Sequence, residues 1–335
     1  MNNEKIIDKL TEENFDSMFV FKPENIKYIT DFYPTSFAYL VIANDEPILY
    51  VNSIDKQDAE AQSKIETCDI KKLSEIKDLL VGNIAVEGSV DFEYLKYLTN
   101  DISKLKMSDA IEKARMIKTS DEIDKIRKSI EIASKSIYEI DFTKSEKYAA
   151  ATLEFNMNIN GSNNPAFDTI VASAVRSSSP HSVPTDNKVE TPIVVDWGAR
   201  YDHYCSDITR TFIDTERQEE IWDIVLEAQK AAYDVVAPGV KCSDVDKAAR
   251  DVIADYGYGD YFIHSTGHSF GLDIHESPNI SFNNDSLLEE NMVITIEPGI
   301  YIPGELGVRI EDDVLVSNNP EVLTRKLPKK LDFVI

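Results

Sequence analysis

Two stretches of this chain end an apolar run on a carboxylate and then turn back. They are Ile193-Val194-Val195-Asp196-Trp197-Gly198 and Ile294-Thr295-Ile296-Glu297-Pro298-Gly299; the returning strands are Cys205 to Ile213, carrying Asp207, and Val308 to Val316, carrying Glu311. Apolar runs of this length bounded by Gly and Pro read as strands, and the spacing reads as two antiparallel hairpins. Asp196 and Asp207 lie equally far from a turn near Tyr201-Asp202, and Glu297 and Glu311 equally far from one near Pro303-Gly304. Directly opposed residues in such a pair have Cβ atoms about 4.5–5.5 Å apart, so each hairpin is expected to bring two carboxylates into contact. Four acids pointing inward from apolar strands repel one another and lose solvation; protonation or bound cations relieve this, and four together favour cations. Carboxylate oxygens with one added imidazole suit Mn²⁺, Co²⁺, Fe²⁺ or Zn²⁺ better than a thiolate site would. Two ions about 3.5–4 Å apart would clamp and acidify a bridging water and polarise a carbonyl, which implies hydrolysis.

The rest of the 335-residue chain frames these hairpins. All five histidines, His181, His203, His264, His268 and His275, fall between positions 181 and 275, which places the site chemistry in the C-terminal half. The first hundred or so residues read as a small α/β domain. Met18 to Phe21 and Ile84 to Val86 are strands, Pro23 sits near a helix start, and Asn44-Asp45 is a hairpin turn between Tyr39–Ile42 and Ile48–Val51. From Ser108 the pattern turns helical. Thr119-Ser120-Asp121-Glu122 is an N-cap followed by Ile123, Ile126 and Ile130 at helical spacing, and further helices read over Ser145–Asn158, Arg217–Ala237 and Ser243–Tyr256. The expected organisation is an N-terminal α/β domain over 1–112 and an α+β domain over 113–335 with its strands in antiparallel hairpins.

Composition excludes several classes. Thirty-five Lys plus Arg against sixty Asp plus Glu give a formal charge of −25, a field that repels phosphate backbones and anionic headgroups, so neither nucleic acid nor a membrane surface is an expected partner. No P-loop pattern or strand-anchored G-x-G-x-x-G is present. The longest apolar runs, such as Phe37 to Ala43, are strand-sized, and the polar N-terminus lacks the apolar stretch of a signal peptide, which reads as cytoplasmic. Three scattered cysteines, Cys68, Cys205 and Cys242, argue against a disulfide framework and a thiolate zinc site.

Pro180-His181, Val195 to Ala199, Cys205 to Thr211, His264-Ser265-Thr266-Gly267-His268, Ile274-His275-Glu276, Ile296 to Tyr301 and Val308 to Asp312 together resemble, in order and spacing, the motifs of the pita-bread metallopeptidases. Within that family the match is to the Xaa-Pro dipeptidase (prolidase) and Xaa-Pro aminopeptidase branch, over about the last two thirds of the chain. The resemblance implies a pita-bread catalytic domain behind a smaller creatinase-like N-terminal domain, two divalent ions per subunit (Mn²⁺ or Co²⁺, with Zn²⁺ or Fe²⁺ as alternatives), Xaa-Pro peptides as substrates and a homodimer. It implies that Asp196 and Asp207 bind one ion, that Asp207 and Glu311 bridge to a second, and that His268 and Glu297 complete the set, with Glu297 also the general base. It further implies that His181 contacts the scissile amide, that His275 donates a hydrogen bond to the carbonyl oxygen, and that His264 lies near the prolyl end.

Some of these roles meet physical alternatives. His275 is seven residues after His268, which in a straight strand would put the two on opposite faces, so Gly271 must permit a bend. Arg309 shares a strand face with Glu311; it reads equally as an ion-pair partner of a ligand carboxylate and as a bidentate clamp for a substrate carboxylate. His203 reads as a solvated hairpin tip and Cys205 as a buried filler. Ser265 and Ser269 depart from the arginine and glycine common in the family. A serine hydrolase lacks its G-x-S-x-G elbow here and leaves the paired acids unexplained. A non-catalytic pita-bread binding protein would not keep five ligand-competent side chains, and a methionine aminopeptidase normally lacks an N-terminal domain of this length. The dipeptidase is the preferred reading, with an aminopeptidase acting on longer peptides as its alternative.

Overall fold

The structure, a computed structural model, describes residues 2–70 and 72–332. The chain divides into two compact units, Met1–Arg115 and Met116–Ile335, three residues beyond the boundary drawn from the sequence.

The first unit is built on one mixed sheet. Its elements run α1 (Asn2–Glu12), β1 (Ser17–Val20), α2 (Pro23–Thr30), β2 (Ala38–Ala43), β3 (Glu46–Val51), α3 (Lys56–Gln62), β4 (Thr67–Asp69), β5 (Ile84–Val86), α4 (Phe92–Leu98) and β6 (Leu105–Met107), before α5 (Ala110–Met116). The strand order is β4-β3-β2-β1-β5-β6, with β2 antiparallel to both its neighbours. Asn44 and Asp45 both take positive φ, 51° and 64°, the left-handed pair that a two-residue hairpin turn requires. Phe19, Val41, Ile84, Val86 and Leu98 close the core on one face.

At the end of β5, Glu87 is fully buried and accepts hydrogen bonds from the Phe21 and Lys22 amides and from Asn25. Burial nevertheless pushes its carboxyl up from 4.5 to about 7. The folded chain therefore holds this proton more tightly than the unfolded one, and the stability it contributes is present below pH 4.5 and lost as pH rises through 7. Glu87→Gln, which cannot ionise, should gain on wild type by about 3 kcal/mol between pH 4.5 and 8 in urea unfolding. A constant difference across that window would refute the ionisation argument.

The second unit repeats one design twice, a pair of helices packed on hairpin strands. The first set comprises α6 (Ser120–Ser136), α7 (Glu146–Ile159), β7 (Ile170–Ser173), β8 (Ile193–Trp197), β9 (Arg200–Tyr201), β10 (Tyr204–Cys205) and β11 (Ile208–Phe212). Thr119 caps α6 through a reciprocal capping box with Glu122. Ala133, Leu153 and Met157 of the helices bury Val195, Trp197 and Phe212 of the antiparallel sheet β11-β8-β7, and Trp197 Nε1 donates to Ala133 O at 3.0 Å. The second set comprises α8 (Glu216–Val235), α9 (Cys242–Asp255), β12 (Gly267–Ser269), β13 (Glu276–Ile280), β14 (Val293–Ile296), β15 (Gly299–Ile302), β16 (Leu306–Arg309), β17 (Asp312–Leu315) and β18 (Glu321–Val322). Here Ile221, Val225, Val245 and Ala249 cover Ile294, Ile296, Val308 and Val314 of the sheet β13-β12-β14-β17-β18 and the hairpin β15-β16. Each helix pair shields one side of its strands, which leaves the acid-bearing faces to one another. No helix among the described residues is long and apolar enough to cross a membrane.

Candidate active site

The first hairpin turns at Asp202-His203, both with positive φ (45° and 71°), as a two-residue turn requires. Cys205 therefore pairs with Arg200, Ile208 with Trp197 and Thr209 with Asp196. This corrects the expected direct opposition of Asp196 and Asp207: the turn lies one residue later than the sequence reading placed it, which shifts the register by two. Asp207 comes to lie across from Gly198, diagonal to Asp196. A shift of two preserves face parity, so the acids still share a face, but at the wider diagonal spacing of about 7–8 Å between positions. Gly198 is required there because a Cβ would fall 2.0 Å from Ser206 O.

The second hairpin pairs Gly299 with Arg309 and Ile302 with Leu306, and the neighbouring ladder pairs Ile296 with Asp312. The shared register runs through the gap between them and sets Glu297 across from Glu311. In that gap Gln229 of α8, fully buried, donates from Nε2 to Ile296 O (3.0 Å) and Ile310 O (2.9 Å), the carbonyls just ahead of the two acids. Thr209 joins the hairpins: its carbonyl accepts from Glu311 N at 3.1 Å and its hydroxyl donates to Glu311 Oε2 at 2.7 Å. Thr295 does the same for β12 and β14, accepting from His268 N (3.1 Å) and donating to Glu297 Oε1 (3.3 Å).

His268 Nδ1 lies 3.1 Å from Ser269 O, which assigns the proton to Nδ1 and leaves the Nε2 lone pair facing the acids. Nε2 is 3.4 Å from Asp207 Oδ2 and 3.5 Å from Glu297 Oε1. Ligand atoms of Asp207, His268 and Glu311 all lie within 4.8 Å of one another. Burial, then the charges of Asp196 and Glu297, push the Asp207 carboxyl well above the ordinary carboxylate range; burial, Asp207 and Glu297 do the same to Glu311. Asp196 is raised by burial despite the opposing pull of Arg309, and its Oδ1 is a buried oxygen with no hydrogen-bond partner among the described residues. Carboxylates this crowded, with an orphaned oxygen and an imidazole lone pair among them, fit divalent cations by donor type and by charge.

The acids open onto a cavity of about 570 Å³, whose walls include Phe167, Ile170 and Ile274 as well as His181, His264 and His275. His181 is exposed on the 179–182 loop. That loop is braced by the fully buried Glu146, which accepts from Ser173, Arg176 and Thr185. Burial acts to raise the Glu146 carboxyl, but these hydrogen bonds outweigh it and hold it below the usual range. His275 stands beside His268 with ring centroids 4.5 Å apart and planes at 67°. A bulge between His268 and Ser269 breaks the strand, and the chain leaves the sheet over 270–275, with Gly271 N bonded to Asp273 O; that excursion is the bend the sequence reading required. Burial holds the imidazoles of both His264 and His275 below their ordinary pKa.

Arg309 is 3% exposed and its guanidinium is engaged on three sides: Nη2 to Asp196 Oδ2 (2.6 Å), Nε to Thr209 Oγ1 (3.0 Å) and Nη1 to Tyr301 Oη (2.8 Å). The ion pair with a candidate ligand is thus displayed, while Arg309 still lines the cavity. Tyr301 Oη also meets His264 Nε2 at 2.9 Å, and His264 Nδ1 meets Ser265 O at 2.8 Å, so His264 accepts from Tyr301 through Nε2. Sequence reasoning missed Tyr301, Thr209, Thr295 and Gln229. Tyr301 had a signal in Gly299 two residues before it, where a Cβ would fall 2.7 Å from the Tyr301 hydroxyl; Gly307 across the hairpin is held to glycine first by Ser177 O, 2.0 Å from where its Cβ would lie. His203 sits at the hairpin tip, and Cys205 is buried beside Leu272 O, its thiol pushed up to about 12 by burial.

A cation-fitting acid cluster at the floor of a histidine-lined cavity defines a metal-dependent hydrolase. The model of metallopeptidase family M24 matches residues 124–318, that of the creatinase/prolidase N-terminal domain matches residues 3–128, and the chain belongs to this metallopeptidase family. Its fold is a pita-bread catalytic domain with a smaller N-terminal α/β domain. A Xaa-Pro dipeptidase from Pyrococcus furiosus is 42% identical over 98% of both chains. The crystal structure of the prolidase from Pyrococcus horikoshii superposes with a TM-score of 0.91 at 39% identity, covering 100% of this chain and 99% of that one. That of an X-Pro aminopeptidase from Thermotoga maritima gives 0.86 at 36% identity, covering 96% and 98%.

Proposed function

We propose that this chain hydrolyses the Xaa-Pro bond of dipeptides. The observation that carries the reading is the convergence of Asp207, His268 and Glu311 on one point, flanked by Asp196 and Glu297, on the wall of a cavity sized for a small ligand. Asp196, Asp207, His268, Glu297 and Glu311 would hold two divalent ions, taken as Mn²⁺ or Co²⁺. Such ions, when bound, supply Lewis acidity that acidifies water and polarises a carbonyl.

The remaining work falls to the chain. Glu297 takes a proton from the attacking water through its carboxylate, with Oε1 steadied by Thr295. His275, kept neutral by burial, donates an N–H toward the carbonyl oxygen as charge gathers on it. His181, on its braced loop, meets the scissile amide. Arg309 fixes Asp196 and gives the cavity wall a positive charge toward a substrate carboxylate. His264, tethered to Tyr301, forms the wall nearest the prolyl ring.

The relatives named as dipeptidases match at 41–42% identity over nearly the whole chain, which supports dipeptides over longer peptides. An X-Pro aminopeptidase shares the fold, so the fold does not decide between them. A cytoplasmic homodimer, with residues 1–112 as N-terminal domain and 113–335 as catalytic domain, completes the proposal. Ala-Pro and Ala-Pro-Ala offered separately to the metal-loaded protein test it. Cleavage of Ala-Pro with little action on the tripeptide is the expected result; cleavage of the tripeptide alone would make it an aminopeptidase, and cleavage of neither would overturn the reading.

A further inference from the structure

We infer that Lys118 is a positioning residue for the two imidazoles His268 and His275, acting through the residues that follow them in the chain. The Lys118 side chain is 1% exposed, and its ammonium donates to Ser269 Oγ and to Glu276 Oε2, each at 3.1 Å. Ser269 follows His268 and Glu276 follows His275. One buried cation therefore clamps both ends of the excursion 270–275, the detour that brings the second imidazole back beside the first.

Each arm of the clamp is tied to the frame. Ser269 Oγ donates to Val293 O of β14 at 2.9 Å, Lys118 N donates to Asn291 O at 3.0 Å, and Glu276 Oε1 accepts from Asp273 N at 3.2 Å inside the excursion. The excursion packs directly on the ion pair: a Cβ on Gly271 would lie 3.0 Å from Glu276 Oε1 and 3.2 Å from Lys118 Cε. The Glu276 side chain is only 7% exposed, so removing the ammonium takes a charged partner away from a carboxylate largely shut off from water. That carboxylate is then drawn toward water and takes the adjoining His275 with it. Lys118 does not line the cavity and touches no candidate ligand, so its effect on turnover runs through ring placement.

The kinetic arm of the test rests on the reading of His275 given above; the structural arm does not. Lys118→Met, His275→Ala and the double variant are made in the full chain, loaded with Mn²⁺ and assayed on Ala-Pro. Lys118→Met should lower kcat by about 30-fold with KM within about threefold, since a displacement of roughly 1 Å is enough for a loss of that size. It should cost clearly less in the His275→Ala background than in wild type, because the His275 placement is already gone and only that of His268 is left to lose. A crystal structure of Lys118→Met should show the His268 and His275 centroids further apart than 4.5 Å. Where Lys118→Met fails to fold, Ser269→Ala, which removes one of the two contacts, should give the same pattern with a smaller loss. Turnover within about twofold of wild type, additivity with His275→Ala, or unmoved rings would overturn the assignment. Wild-type protein that leaves Ala-Pro intact would instead refute the functional reading, and the ring separation in the variant would still decide the role of Lys118.

Discussion

Glu297→Gln should lower kcat by about 10³-fold while KM changes little, the pattern of a group that acts in the transition state more than in substrate binding. The amide keeps the size of the carboxylate and can still accept from Thr295 through its oxygen, so the site's hydrogen-bond frame survives. What it loses is the ability to take a proton. His268, 3.5 Å from Glu297 Oε1, has its Nε2 turned to the acids and no free path to replace it as base. Steady-state kinetics on Ala-Pro, with metal content measured in parallel, check this. Turnover near wild type with full metal content would remove Glu297 from the base role, and a rise in KM alone would make it a binding residue.

Asp207→Asn should act in opposite directions on the metal-free and metal-loaded protein. Without ions, Asp207 is a buried carboxylate among Asp196, Glu297 and Glu311, and neutralising it relieves repulsion. Metal-free Asp207→Asn should therefore melt above metal-free wild type, each kcal/mol of relief being worth roughly 2–4 °C. With Mn²⁺ present the order should reverse, because the variant loses a shared ligand and with it the stabilisation that binding confers on the folded state. Activity should fall by more than about 100-fold. Thermal melts with chelator and with Mn²⁺ check both signs. A metal-free variant that melts below metal-free wild type would show that the acids are stabilised by something other than cations.

Local signals carried the elements well. The Thr119–Glu122 capping box, the Asn44-Asp45 turn and the apolar runs into Asp196 and Glu297 are each set by interactions within a few residues, which periodicity and turn chemistry report. The relation of Asp196 to Asp207 was harder. A hairpin shifted by two residues leaves every side chain on the same face, so the hydrophobic pattern that specifies the face is silent about whether the acids sit opposed or diagonal. Only the positive φ at Asp202 and His203 decides it, and neither residue is a glycine that would have marked the turn. The supporting groups were illegible for a different reason. Lys118 reaches Ser269 across 151 positions and Gln229 reaches Ile310 across 81, and such contacts exist only once the helices have packed on the strands. Arg309 shows the middle case: face parity with Glu311 was readable, but its partners Asp196, Thr209 and Tyr301 depend on how the two hairpins meet.

The whole scheme requires that the acid cluster hold cations and that turnover depend on them. Protein stripped by chelation, its residual metal measured by elemental analysis, should lose Ala-Pro cleavage in proportion to the ions removed and regain it when Mn²⁺ or Co²⁺ is added back. Cleavage that persists undiminished in protein shown to be free of metal would contradict it.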